Sequence, residues 1–302
     1  MEYKNITKIE ALEGSKRVIE VLTLLAQNGG NVFRGYNKQD ELLPSLIRDK
    51  ISYADVEIEL LEKFERYGSH YFHATTLIDF MSYAQHFGLP TRLLDFTYNP
   101  FIALSFALHG KKSNARYTEP SDKTYYYVCY ASLDENLCAP SIPLKDDVYN
   151  NKLTRTDSLA VKAAQCIDSM TDLFGHNSLQ RNVWALGGLE SSIKDSISKQ
   201  EKIRNHAILF IDPNQSNQRI IMQQGLFMFP YTLDRKEHLD IIKQNSSVIM
   251  IHKDLRAELL KYLDTLGFST FRLMPDLASV CYAVKHKVID ERSEKSPAFK
   301  KK

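Results

Sequence analysis

The stretch Gln85-His86-Phe87-Gly88-Leu89-Pro90-Thr91-Arg92-Leu93-Leu94-Asp95-Phe96-Thr97-Tyr98-Asn99-Pro100 decides how this chain folds. Residues Thr76 to Phe87 read as a helix, with Thr76 as cap, Asp79 at the capping-box position and Gly88 as terminator. Leu89-Pro90 turn the chain out of that helix. Thr91 to Phe96, running on to Thr97, then reads as a buried strand. Asn99-Pro100 is a cap followed by proline at the first helical position, and it opens an apolar helix, FIALSFALHG, that ends at Gly110. A helix, a strand and a helix in immediate succession predict a mixed α/β protein.

In a regular strand over Thr91 to Thr97, the two-residue period places Asp95 and Thr97 on one face and Arg92 on the other, beside Leu94 and Phe96. A carboxylate and a hydroxyl at the carboxyl end of a strand, just before a helix N-terminus, face the crevice where α/β proteins hold ligands. The alternative is that both residues cap the following helix, although Asn99 already supplies a cap. His86 and His109 each end a helix, as structural residues or as ligand contacts.

Upstream, Val18, Ile19, Leu22 and Leu25 mark one face of a helix that starts at Ser15 and stops at Gly29-Gly30. A short strand, Asn31 to Phe33, follows and leads into Phe33-Arg34-Gly35-Tyr36. An arginine at a strand end, flanked by aromatics and followed by a glycine that admits close backbone approach, suits a fork gripping a phosphate or ribose. The alternative, which three residues alone favour, is an arginine paired with a core carboxylate to pin the strand. Residues 53–67 carry Val56, Leu60 and Phe64 at helical spacing.

Downstream, residues 111–124 read as a surface loop and Tyr125 to Ala131 as an aromatic strand. From about 132 to 204 the pattern is helical and polar, an inserted layer in a single domain over residues 1–285. Strands resume at His206 to Ile211, with apolar runs at Gly225 to Pro230 and Val248 to Ile251. The last helix (Leu255, Leu259, Leu263, Leu266) is closed by Gly267. The tail, 286–302, is charged and reads as a flexible solvated terminus, or as a contact for a polyanion.

The 302 residues, 43% hydrophobic and 25% charged, suffice for a substantial core. Basic and acidic residues nearly cancel, 39 against 37, so a nucleic-acid or lipid partner would need a local patch. Cys129, Cys138, Cys166 and Cys281 form no CxxC pair, and histidines do not cluster, so no metal site is expected and a reducing compartment fits. The N-terminus lacks a secretory apolar segment, and no stretch approaches the roughly 20 apolar residues of a membrane span. A cytoplasmic protein without a membrane partner is expected. The motifs GxGxxG, GxxxxGK[ST] and GxSxG are absent, which disfavours a dehydrogenase, a P-loop enzyme and a serine hydrolase.

The stretches NVFRGYNKQDELLPSLIRD, YAQHFGLPTRLLDFTYNPFIALSFAL, RIIMQQGLFMF and FRLMPDLASVCYAV resemble the FRG domain family, over about residues 15 to 285. A more distant resemblance is to ADP-ribosyltransferases. These carry, in order, a strand ending in aromatic-Arg-Gly, a strand with Ser-Thr-Ser leading into a helix of the type A-x-x-F-A, and a strand opening with an acidic motif before an apolar run. Phe33-Arg34-Gly35, then Asp95-Phe96-Thr97 with Ala103, Phe106 and Ala107, then Gln223-Gln224-Gly225 before Leu226 to Phe229, fall in that order.

The fold this implies is α+β (mixed α/β): an ADP-ribosyltransferase-like central split β-sheet core with helices packed around it and a helical insertion. As the resemblance implies, Arg34 would hold the diphosphate or adenosine ribose of NAD, which is substrate and not a resident cofactor. Thr97 would orient the nicotinamide ribose, and Tyr36 or Tyr98 would stack on nicotinamide. A carboxylate would stabilise the oxocarbenium-like transition state. The third motif carries Gln223 and Gln224 and no glutamate, so Asp95 supplies the charge, or Gln224 acts by hydrogen bonding, or the site binds without turnover. Gln223 and Gln224 also fit an exposed strand edge. The candidate set is therefore Asp95, Thr97 and Gln224 for chemistry, and Arg34, Gly35, Tyr36, His86, Arg92 and Tyr98 for the nucleotide. The implied function is an NAD-dependent effector, toxin-like or acting in phage defence. It would modify a nucleic acid or protein, with an antitoxin or chaperone as partner. The alternative is a non-catalytic module that binds a nucleotide or nucleic acid.

Overall fold

The computed structural model describes residues 2–140 and 208–274, apart from 11–13, 30, 49–52, 54–55, 69, 72–76, 110–123, 214–217 and 231, together with residues 280, 281, 284 and 288. In order the chain forms β1 (Ile6–Ile9), α1 (Gly14–Gln27), β2 (Asn31–Tyr36), a 3-10 turn (Gln39–Leu42), α2 (Ser45–Arg48), α3 (Glu57–Gly68), α4 (Leu77–His86), β3 (Leu94–Thr97) and α5 (Pro100–His109). It continues with β4 (Tyr125–Ser132), β5 (Leu137–Pro140), β6 (Leu209–Asp212), α6 (Gln218–Met222), β7 (Gly225–Met228), α7 (Arg235–Asn245), β8 (Ser247–His252), α8 (Arg256–Thr265) and α9 (Thr270–Leu273).

The eight strands make one mixed sheet in the order β1-β8-β4-β2-β3-β7-β6-β5. Its outermost pairs, β1 with β8 and β5 with β6, are parallel, and the inner pairs are antiparallel. The joins differ greatly in extent. β4 is paired along its length with β2 and β8, whereas β2 and β3 share one register pair, Phe33 with Thr97. The sheet is therefore two four-stranded halves that meet at one rung.

Alternation along the strands assigns the two faces of the first half. Phe33, Val128, Ile249 and Ile251 point toward α1, α5 and α8, where they pack with Val18, Val21, Ala103, Leu104, Leu259 and Leu263. Val32, Cys129, Ala131 and Val248 point the other way, into a second cluster with Phe80, Met81, Phe96, Phe210 and Ile241. Each aliphatic side chain so buried contributes on the order of 1.5 to 3 kcal/mol relative to exposure.

Helix α5 starts as its sequence dictates: the Asn99 Oδ1 accepts from the amides of Phe101 (2.9 Å) and Ile102 (3.4 Å). The helix is apolar all round because it is enclosed, with Ile102, Ala103, Leu104, Ala107 and Leu108 buried. It lies directly on β2 at Gly35. A Cβ there would stand 1.7 Å from the Ala103 carbonyl oxygen and 2.7 Å from the Ala107 amide nitrogen. The expected close backbone approach at this glycine is real, and α5 makes it.

Several expectations need correcting. β2 runs to Tyr36, so Arg34 and Gly35 lie inside the strand, opposite Cys129 and Val128, and not at its end. The central strand starts at Leu94 and not Thr91, because the backbone of Thr91 is used by α2: its amide donates to Ser45 Oγ (3.0 Å) and its carbonyl accepts from Leu46 N (3.1 Å). Arg92 is consequently not a strand residue. Ile19 is 55% exposed, and the buried face of α1 is Val18, Val21 and Leu25. Residues 137–140, read as the start of a helical insertion, are a strand paired in parallel with β6. The rest of that insertion from residue 141, the 111–123 loop, Thr76, Gly110, Cys166 and the tail apart from Val288 lie outside the described residues.

Candidate functional site

At the rung that joins the half-sheets the strands leave a cavity of about 380 Å³. That is at the lower end of the roughly 300 to 1,000 Å³ of small-molecule sites. β2 contributes Arg34 and Gly35, β3 contributes Asp95, Phe96 and Thr97, α5 contributes Ala103 and Phe106, and α4 contributes Gln85. Ser45 and Arg48 come from α2, Arg219 from α6, Gln223 from the turn after it, and Met274 from the segment after α9. Of the ionisable side chains among the described residues of this wall, three are arginines and one is a carboxylate, Asp95.

Arg34 is 4% exposed. Its Nε donates to the Glu41 carbonyl (3.0 Å), Nη2 donates to the same oxygen, and Nη1 donates across the seam to the Asp95 carbonyl. All its hydrogen-bond partners among the described residues are backbone carbonyls; its charge is held by dipoles, with no carboxylate in ion-pair contact among those residues. Burial pushes the guanidinium down from 12.5 to about 10, and the Asp95 carboxylate pulls it part of the way back. Glu41 is itself fixed, since its carboxylate accepts from the Asn37 amide (2.8 Å).

The Asp95 carboxylate is half-buried on the cavity wall and accepts from Gln85 Nε2 (2.6 Å). Thr97 is 4% exposed, and its hydroxyl is committed twice: it donates to the Gln223 carbonyl (2.7 Å) and accepts from the Asn99 amide (3.0 Å). The hydroxyl thus ties β3 to the turn before β7 and caps the entry to α5, while Thr97 still borders the cavity.

The glutamines divide. Gln223 is buried, lines the cavity and donates to the Leu273 carbonyl (2.9 Å). Gln224 is exposed and takes a left-handed backbone, φ 44°, in the turn; its carbonyl accepts from the Tyr98 amide (3.0 Å). A non-glycine residue held there stores strain of the order of 1 to 3 kcal/mol. Gln223, not Gln224, is the one brought to the cavity.

Four sequence candidates stand apart. Arg92, 3% exposed, is locked to Glu57 by two hydrogen bonds, Nε to Oε1 at 2.8 Å and Nη2 to Oε2, with Phe229 beneath its guanidinium at 5.4 Å. Tyr36 stacks on Tyr127 (5.0 Å) and shares a 2.5 Å hydrogen bond with Tyr3, and burial raises its phenol well above the ordinary range. Tyr98 faces the Cys138 and Asp212 side chains on the outer half-sheet; burial and these two neighbours raise its phenol. His86 lines a small annex of about 30 Å³ that shares Gln85, Asp95 and Gln223 with the main cavity. Ser45, Arg48, Gln85 and Arg219 were not singled out from sequence. Each is an ordinary polar residue one position in a helix, and only the packing of α2, α4 and α6 turns it inward.

Among the described residues no group of histidine, cysteine or acidic side chains could hold a metal, and the described cysteines Cys129, Cys138 and Cys281 are free. No helix among them is long and apolar enough to cross a membrane. The fold and site define a mixed α/β protein with an arginine-rich cavity at the seam of its central sheet. Residues 29–116 match the FRG domain, a stretch from just before β2 to beyond α5 that contains Arg34, Gly35, Gln85, Asp95 and Thr97. The FRG resemblance read from the sequence therefore holds over that stretch. Comparison with curated proteins and with solved structures gives no match.

Proposed function

We propose that the cavity binds a nucleotide of the NAD class and that the chain is an ADP-ribosyltransferase-like effector acting in the cytoplasm on a nucleic acid or protein. One observation carries the reading. Phe33, Thr97 and Gly225 form a single row across β2, β3 and β7, so the three motif segments lie side by side in order and bring Arg34, Asp95 and Gln223 to one cavity. Three arginines on that wall suit a diphosphate, which guanidinium forks bind by charge-assisted hydrogen bonds. A volume of 380 Å³ takes a nucleoside with its phosphates, leaving the far nucleoside of a dinucleotide at the mouth.

In this proposal the C1′–N bond to nicotinamide breaks, nicotinamide leaves neutral, and the acceptor oxygen or nitrogen bonds to C1′ while giving its proton to Asp95. Asp95 is the one carboxylate among the described residues of the cavity wall, and it would stabilise the cationic transition state. A second reading, a binding module without turnover, is favoured by the committed Thr97 hydroxyl and by Gln223 in the third segment. Incubating the protein with NAD and cellular RNA, DNA and protein fractions, then weighing the products, separates the two. The transferase reading expects nicotinamide release that falls at least 100-fold in Asp95→Asn. Tight NAD binding without release, unchanged in Asp95→Asn, establishes the module. No stabilisation by NAD, ADP-ribose or ADP would remove both. An effector role further expects wild-type expression to arrest growth and Asp95→Asn to relieve it, with any antitoxin or chaperone recovered as a bound partner.

A further inference from the structure

The cavity carboxylate has a support that the proposed reaction does not itself require. Gln85 Nε2 donates to Asp95 Oδ1 at 2.6 Å, and Gln85 Oε1 accepts from the Thr91 hydroxyl at 2.6 Å. Thr91 is fully buried and is fixed in turn by Ser45, which accepts from its amide at 3.0 Å and donates to its carbonyl at 3.2 Å. An amide side chain held at its oxygen by a hydroxyl has only its N–H₂ end to offer the other way. That end meets Asp95 as a donor, which favours the ionised carboxylate over the protonated one.

We propose that Gln85, aimed by Thr91, is the positioning residue that keeps Asp95 anionic and fixed on the cavity wall, and so makes the site selective for a ligand with a cationic base such as the oxidised nicotinamide ring. The proposal rests on the nucleotide reading above. Among the described residues, the charges facing Asp95 are Arg34 from β2, Arg48 from α2 and Arg219 from α6, with His86 next to Gln85 on α4. Those cations also favour the anion, but none of them makes Asp95 depend on the orientation of one amide. Replacing Gln85 by leucine removes the donor and leaves the arginines; replacing it by glutamate sets a second carboxylate at hydrogen-bond distance, where the pair shares a proton.

The test measures NAD binding by calorimetry from pH 5 to 9, and thermal midpoints over the same range, for wild type, Gln85→Leu, Thr91→Val, Gln85→Glu and the exchanged pair Gln85→Glu/Asp95→Asn. Wild-type affinity should fall on the acid side as Asp95 protonates, and in Gln85→Leu that fall should move upward by about one pH unit. Thr91→Val should move it part of the way. An acid limb that coincides in all three overturns the proposal. The midpoint arm decides it independently of any ligand. Gln85→Glu creates a carboxyl whose folded pKa is raised, so its midpoint should drop relative to wild type as pH rises above about 4.5, and the exchanged pair should recover it. Parallel midpoint curves overturn the coupling even if NAD binds. A wild type that ignores NAD while Gln85→Glu shows the drop defeats the nucleotide reading and leaves the Gln85–Asp95 coupling standing.

Discussion

Arg34 and Arg92 are buried to nearly the same degree, yet the chain uses them in opposite ways. Arg92 sits outside the sheet against Glu57, fork to fork, with an aromatic ring beneath it. Its charge is cancelled where it lies, so nothing of it reaches a ligand. Arg34 is held by two backbone carbonyls, whose dipoles orient the guanidinium without neutralising it, and it borders a cavity with two further arginines. A formal counter-ion makes a buried cation into structure; dipoles alone leave its field available to an anion.

The largest expected effect tests the closed pair. Glu57→Ala leaves the Arg92 charge buried and uncompensated, at a cost of about 3 to 5 kcal/mol in urea unfolding, with nucleotide affinity unchanged in the folded fraction. Next is a pH effect beside the open one. His238 is fully buried, its Nε2 donates to the Leu42 carbonyl (3.0 Å), and it is pushed down from 6.5 to about 4 by burial, with Arg34 adding to the effect. A depressed histidine is neutral in the fold, so its contribution is intact above pH 6.5 and is lost as pH falls toward 4. It amounts to about 3 kcal/mol, which His238→Gln should largely remove from the stability-pH curve.

Arg34→Met should cost less than Glu57→Ala, about 2 kcal/mol. It orphans the Glu41 and Asp95 carbonyls but relieves a buried cation. Its binding of NAD should fall more than tenfold, and equal binding would break the contrast between the two arginines. The smallest effect sharpens it: the joint replacement Arg92→Met/Glu57→Leu should lie within about 1 kcal/mol of wild type and bind NAD as wild type does.

Local signals carried the elements around β3. The Asn99-Pro100 start of α5 and the Gly88 stop of α4, where φ reaches +94°, were legible because each depends on residues within a turn of it. The seam was not legible in detail, since it depends on which strands meet. Arg34 and Asp95 were placed at a common site by motif order alone. The same reading put Arg92 with them, because Glu57 lies 35 positions away and nothing local marks the pair. Gln85 was quoted in the deciding stretch but left unassigned, because its role appears only when Thr91 and Asp95 close on it from both sides.

The single rung between Phe33 and Thr97 has one more consequence. Since Arg34 also crosses that boundary to reach Asp95, the group proposed to grip the ligand also makes a hydrogen bond between the two half-sheets. An anion that draws the guanidinium toward itself competes with that hydrogen bond, so ligand binding is expected to change the protection of the rung. Amide exchange at Phe33 and Thr97 would report it.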